Sequence, residues 1–451
     1  MNAPEPARGR HLVRGGRRFA SGGGIVARLF ARAFAGVLDR VDAGLAHGSI
    51  VATLPDGSGR VLGGRRPGPL AEVELRSWRA LVRLARSGSV GWYVAWDKDE
   101  WTSPDPVPLF DLFMRNRVAL GRTARAGGVA RAANRVLHAM RRNTPVGARR
   151  NVEAHYDLGN DFYAAWLDAG MSYSSAIWGK GDTLETAQTR KIAALLDRLD
   201  LKPGDSLLDI GSGWGAVAEA AAERGLDVAG ITLSPAQKDY AVRRLKGRER
   251  FLLSDYRNMR GVFDGIASVE MVEAVGQEYW PAWLDAVGRL LKPGGRAAVQ
   301  FILIADDIFE SYAANADFIQ TYVFPGGLLI SVGRFRALAE ARGFAWTDER
   351  RFGLDYAETL KAWRARFDAA VSEGRLPRGF DAHFVRLWRY YLMYCEGGFR
   401  GGGIDVAQVT LIKGGDDAAQ DQRGARAARS DRRRAAGAVA RANGTRAQGW
   451  R

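Results

Sequence analysis

The run LLDIGSGWG, from Leu207 to Gly215, places an aspartate and three glycines at alternate positions: Asp209, Gly211, Gly213 and Gly215. Glycine there lets the backbone turn sharply and approach a ligand closely. With Ala216 the run also satisfies the pattern of a dinucleotide loop, which needs an acid about 20 residues on to hold a ribose. The next strand ends Gly230-Ile231-Thr232 and has no acid. Asp209, just before the first glycine, suits S-adenosylmethionine better than a dinucleotide or a mere packing turn. A second stretch, MSYSSAIWGKG, sets Ser174 and Ser175 between Tyr173 and Trp178. A buried strand would not want two hydroxyls there, and a solvent loop would not want two aromatics.

The elements around these residues alternate strand and helix. DSLLDIG, DVAGITL, RFLLSD, FDGIASV, GRAAVQFI and VAQVTLI read as strands. AVAEAAAERG reads as a helix closed by Gly225, and SPAQKDYAVRRL as a helix capped by Ser234. Such alternation implies an α/β fold with a parallel sheet covered on both faces. Upstream, GSIVATLPDGSGRVLG predicts a hairpin turning at Pro55-Asp56-Gly57, and LAEVELRSWRALVRLARSG a strand leading into a helix. Between Ile25 and Leu45, apolar residues recur at helical spacing among Arg28, Arg32 and Arg40. That helix either docks on its own domain or lies on lipid.

HYDLGNDFYAAWLDAGMSYSSAIW, LLDIGSGWG, ITLSPAQ, MVEAVGQEYW and YYLMYCEGGFR resemble, in that order, the motifs of cyclopropane-fatty-acyl-phospholipid synthases and mycolic acid methyltransferases. The resemblance covers roughly residues 151–413. It implies a Rossmann-like methyltransferase fold with a seven-stranded, mostly parallel sheet and a small mixed N-terminal domain. The expected organisation is a basic disordered N-terminus (1–20), a small domain (21–120), a linker (121–150), a catalytic domain (151–413) and a disordered basic tail (414–451). For the cofactor, the resemblance implies Tyr156, Tyr173 and Ser174, the loop Asp209 to Gly215, Thr232, Ser234 and Gln237 at the ribose, and Tyr256 and Arg257 near the adenine. Aromatic faces attract a sulfonium.

The family methylates a cis double bond inside an acyl chain, so a base must finish the reaction by removing a proton. The resemblance implies a bound bicarbonate, held at the positions of Ser175, Glu273, Gln300, Ile302 and Tyr356. Two side chains depart from the family, which has cysteine at Ser175 and histidine at Gln300. A neutral amide cannot become a cation as histidine can, so a methyl-branched product competes here with a cyclopropane. Cys395 lines the acyl pocket or takes part in catalysis, and DFIQTYVFPGG helps line the acyl channel.

Lys and Arg outnumber Asp and Glu by 66 to 50, a net charge of +16. This favours an anionic partner. A nucleic acid methyltransferase would bring a target-base motif of the Asn/Asp-Pro-Pro-aromatic kind, and none is present. We therefore expect anionic membrane phospholipids rather than specific nucleic acid, with a homodimer as a protein partner to test for. A non-catalytic lipid-binding relative is the alternative. The single cysteine and the lack of a spanning apolar run fit a cytoplasmic protein on the inner membrane face. No metal is expected.

Overall fold

The computed structural model describes Arg8 and residues 31–120, 158–247 and 249–414. The basic N-terminus, the linker 121–150, the tail beyond Gly414, Tyr156 and the apolar positions Ile25, Leu29 and Phe30 lie outside the described residues.

The N-terminal unit runs α1 (Ala31–Gly44), β1 (Ser49–Thr53), β2 (Gly59–Gly63), β3 (Leu70–Leu75), α2 (Arg79–Asp97), β4 (Trp101–Thr102) and α3 (Val107–Arg115). Its sheet has the order β2-β1-β3-β4. The β1–β2 hairpin forms as expected, turning through Gly57 at φ +85°. Strict alternation in β3 sends Ala71, Val73 and Leu75 inward. Leu38 and Val41 of α1, with Leu45 just beyond it, are buried in the same core. The described part of this helix is thus docked on its own unit through Leu38 and Val41.

The second unit runs α4 (Leu184–Asp197), β5 (Ser206–Ile210), α5 (Ala216–Glu223), β6 (Asp227–Thr232), α6 (Pro235–Arg244), β7 (Arg250–Leu253), β8 (Phe263–Val269), α7 (Trp280–Leu290), β9 (Leu291–Ile304), α8 (Val332–Glu340), β10 (Phe344–Arg351), α9 (Gly353–Ser372), α10 (Ala382–Arg400) and β11 (Ile404–Lys413), with shorter helices at Asn160–Ala164 and Asp306–Ala313 and turns besides. The sheet order is β10-β11-β9-β8-β5-β6-β7. Strands β5 to β9 are parallel, and β11 lies antiparallel between β9 and β10. The order reverses beside β5, and ligands of open α/β sheets bind at such a switch point.

The two units share one core. Tyr93 of α2, Phe318 and Tyr390 of α10 meet with ring centroids 4.8 to 5.1 Å apart. Such aromatic pairs contribute about 1 kcal/mol each beyond their buried area. Two glycines let α10 press on α3: a Cβ at Gly397 would lie 2.7 Å from the Val107 carbonyl oxygen, and one at Gly401 2.7 Å from that of Asp111. The packing therefore continues across residue 120. No described helix is long and apolar enough to cross a membrane, and no cluster of His, Cys, Asp and Glu among the described residues could hold a metal.

Candidate active site

Loops following β5, β6, β7 and β8 open onto one cavity of 620 Å³. Asp209, next to last in β5, is fully buried, with Oδ2 lacking a partner among the described residues. Burial pushes its carboxyl up to about 7, against the opposing field of Lys191. Gly211 and Gly213 line the cavity at φ +86° and +52°, and a Cβ on Gly213 would enter open space. Gly215, at φ +90°, serves packing instead: its Cβ would crowd Ala241 at 3.1 Å. Thr232 Oγ1 donates to Gln237 Oε1 at 2.8 Å, and both line the cavity. Ser234 is spent on capping α6, where its Oγ accepts from the Gln237 N–H at 3.3 Å. Arg257 pairs with Asp255 at 2.6 Å and lies over the rings of Tyr256 and Tyr279. The Tyr256 hydroxyl and Ser212 Oγ also lack partners among the described residues. Buried polar atoms without partners are costly. Orphaned groups around an open glycine cradle fit a ligand with several polar ends, as S-adenosylmethionine has.

Just past β8 stands a residue that sequence reasoning missed. Glu270, at φ +48°, is held in the left-handed region that favours glycine. Its Oε1 accepts from the Ser175 N–H at 2.9 Å and from Gln300 Nε2 at 2.8 Å, and its Oε2 from the Tyr356 hydroxyl at 2.7 Å. These donors come from three of the positions expected to hold bicarbonate. A carboxylate of the chain itself already satisfies them, so the arrangement does not fit a bound bicarbonate. Burial raises the Glu270 pKa, while Gln300, the Ser175 N–H, Tyr356 and Lys191 oppose that rise. Ser175 contributes through its backbone; its own Oγ donates to the Ala176 carbonyl at 3.0 Å.

Glu273, the carboxylate expected from the sequence, faces the same cavity but has a different partner. It accepts from the Ile302 N–H, and its Oε2 is buried without a partner. Burial first, and the Glu270 charge second, push it up to about 8. Gln300 is itself oriented. Its Oε1 accepts from Gln408 Nε2 at 3.0 Å, directly across the β9–β11 register, and Gln408 Oε1 accepts from Arg198 Nε at 3.2 Å. Arg198, Gln408 and Gln300 thus form a chain of donors ending on Glu270.

Beyond Glu270 the cavity turns apolar. Ile302, Phe324, Leu328 and Phe399 line it, and it continues to Phe110, Phe113 and Arg117 of the N-terminal unit. The 319–323 stretch forms a π-helical turn whose Ile319 and Gln320 face the cavity. Tyr173 and Tyr391 join hydroxyls at 2.9 Å. Cys395 lies along this part, where burial drives its thiol far above the ordinary range. It lines the pocket.

A parallel sheet with this glycine cradle at its switch point defines an S-adenosylmethionine-dependent methyltransferase. The mycolic acid cyclopropane synthetase family matches residues 144–409, and the chain belongs to that family. It is 36% identical over 358 residues to tuberculostearic acid methyltransferase UfaA1 of Mycobacterium tuberculosis, spanning 74% of this chain and 81% of that one. It is 39% identical over 263 residues to cyclopropane-fatty-acyl-phospholipid synthase of Escherichia coli K12, spanning 58% and 67%. The solved mycolic acid cyclopropane synthase CmaA1 complexed with SAH and CTAB aligns with a TM-score of 0.55 at 33% identity, over 59% of this chain and 98% of that one.

Proposed function

We propose that the protein methylates the double bond of an unsaturated acyl chain carried by a membrane phospholipid, with Glu270 as the base. The observation that carries this reading is a half-buried carboxylate, held by three donors, where the polar cofactor end of the cavity meets its apolar end. The names of the relatives support the substrate class. The +16 charge favours contact with an anionic membrane surface from the cytoplasmic side.

Bound S-adenosylmethionine supplies an electrophilic methyl group. The alkene is a weak nucleophile, and the apolar wall of Ile302, Phe324 and Phe399 keeps water from competing for that methyl. Carbon–carbon bond formation, with the methyl–sulfur bond breaking and its electron pair staying on the departing sulfur, would leave a cation on the chain. The Glu270 carboxylate and nearby ring faces stabilise it without reorganising. Glu270 then accepts a proton. Loss from the added methyl closes a cyclopropane, and loss from the adjacent chain carbon leaves a methyl-branched alkene. Tyr356, Gln300 and the Ser175 N–H fix the direction in which the carboxylate points. Glu273, still protonated, adds no second charge.

The test is mass analysis of lipids from cells fed labelled methionine and expressing the protein. The expected result is one labelled carbon in phospholipid acyl chains, absent with Glu270→Gln. Label confined to nucleic acid, with none in lipid, would overturn the reading.

A further inference from the structure

The apolar end of the cavity finishes on a cation that the mechanism does not use. Of the three basic side chains lining the cavity among the described residues, Lys191 and Arg257 stand at the cofactor end and Arg117 at the other. Arg117 opens the short helix Arg117–Leu120 of the N-terminal unit, beside Phe113, Met114 and Leu120 on the cavity wall. Its own contacts are weak. Nη1 donates to the Met114 carbonyl at 3.4 Å, and Nη2 reaches Asp307 Oδ2 at 3.5 Å. Both are longer than an ordinary hydrogen bond. Asp307 is 48% exposed, so the ion pair is worth little. The neighbouring Arg115 and Arg400 are committed at shorter range, to Asp111 at 2.9 Å and to Glu358 and Glu396 at 2.9 Å. Arg117 lines the cavity and also reaches a surface carboxylate, so it stands where the cavity meets solvent. Helix Asp306–Ala313 forms the facing lip, with Ile308 and Ser311 on the cavity wall.

We propose that Arg117 binds the phosphodiester of the substrate lipid, while one acyl chain runs from it along the apolar wall to Glu270. A guanidinium presents a planar fork of donors that matches two phosphate oxygens, and this fork is largely unspent. Asp307 gives way by turning to solvent. The arginine then measures the distance from head group to double bond, because fixing the phosphate fixes which carbons reach Glu270. The inference rests on the acyl half of the proposed function and is independent of the identity of the base.

The experiment is calorimetry on the full chain with dihexanoyl phosphatidylglycerol, kept below its micelle concentration, and with dihexanoylglycerol, which lacks the phosphate. Monomeric lipids keep the charge of a membrane surface out of the measurement. Wild type should bind the phospholipid at least about tenfold more tightly, the worth of a charged hydrogen bond. Arg117→Met should weaken the phospholipid by about tenfold to a hundredfold and change dihexanoylglycerol less than about threefold. Equal loss for both lipids would make Arg117 a piece of the wall, and no loss for either would make it an idle surface charge; either result overturns the proposal. Decanoate held as tightly as the phospholipid, and equally dependent on Arg117, would make this a site for any anion and overturn the phosphate assignment. Should Arg117→Met fail to fold, Arg117→Lys takes its place. It should still lose about threefold or more, since an ammonium cannot pair two oxygens in a plane, and unchanged affinity there overturns the proposal. These chains are saturated and no methyl donor is added, so failure of methylation cannot be mistaken for failure of this site.

Discussion

The two ends of the cavity are built on different principles. The cofactor end is made from loops at the C-terminal ends of parallel strands, and its polar groups sit within a few residues of one another in sequence. Asp209, Gly211 and Gly213 come from a single turn, and Thr232 and Gln237 from another. The acyl end is assembled from remote pieces: the 319–323 turn, α9, α10 and the N-terminal α2 and α3. Local chemistry therefore specifies the first end, while packing specifies the second. Glu270 stands where the two meet. Its donors arrive from Ser175, Gln300 and Tyr356, which only the folded sheet brings together.

The largest effect should come from removing that junction. Glu270→Gln leaves the cofactor loops intact, so S-adenosylhomocysteine affinity should hold in calorimetry while turnover falls about 1000-fold, the range expected of a general base. Glu270→Gly sharpens the point. Glycine suits the backbone at φ +48°, and truncation frees the three donors together with the space of a carboxylate. Added bicarbonate should restore turnover in Glu270→Gly by about tenfold and do nothing for wild type, a gain equal to about 1.4 kcal/mol of barrier. Rescue of wild type by bicarbonate would show that Glu270 does not fill that role.

At the cofactor end, Gly213→Val should lower S-adenosylhomocysteine affinity by at least about 100-fold, because the new side chain enters the open cradle and a β-branched residue resists φ +52°. The fold should survive, since the added Cβ meets no protein atom within 4 Å. Unchanged affinity in a folded variant would remove the loop from the cofactor site.

The contrast between the two ends also explains what could be read in the sequence. Alternating strands and helices, the glycine loop and the Ser234 cap are local patterns, and they were legible. Strand β10 was not: only Phe344 and Trp346 point inward, and the charged remainder of an edge strand hides its period of two. Glu270 was missed because SVEMVEAVG holds two glutamates three residues apart and the resemblance points to Glu273. Its place immediately after a parallel strand was the available signal. The union of the two units through Gly397 and Gly401 could not be foreseen either, since glycines within a helix read as weakness until a second helix is laid against them.

A smaller effect should appear in stability against pH. The folded-state pKa of Glu273 is raised from an ordinary 4.5 to about 8. A raised carboxyl contributes stability that is fully present below the unfolded pKa and lost as pH rises through the folded one. Between about pH 4.5 and 8 this group alone should cost about 1.4 kcal/mol per pH unit, and nothing further above that window. Glu273→Gln should flatten that slope in denaturant unfolding of the cofactor-free protein. An unchanged slope would mean that Glu273 is ionised throughout.

The smallest predicted effect tests whether packing at a distance directs the chemistry. Gln408 touches neither ligand, yet its amide fixes which way Gln300 points, because one end accepts from Arg198 and the other donates to Gln300 Oε1. Gln408→Leu removes that constraint and leaves Gln300 Oε1 buried without its donor. The Gln300 amide can then turn, presenting oxygen instead of nitrogen to Glu270 and replacing attraction with repulsion. A lost hydrogen bond of about 1 kcal/mol predicts a fall in turnover of about fivefold, with the cofactor affinity unchanged. The direction of proton removal should also loosen, so the ratio of ring to branched product in gas chromatography should shift with turnover. Gln408→Glu should do worse than Leu where it is ionised, since its carboxylate would repel Gln300 Oε1 and draw the Gln300 amide nitrogen away from Glu270. If Gln408→Leu loses stability but keeps both turnover and product ratio, the chain from Arg198 to Glu270 supports the sheet and does not direct the base.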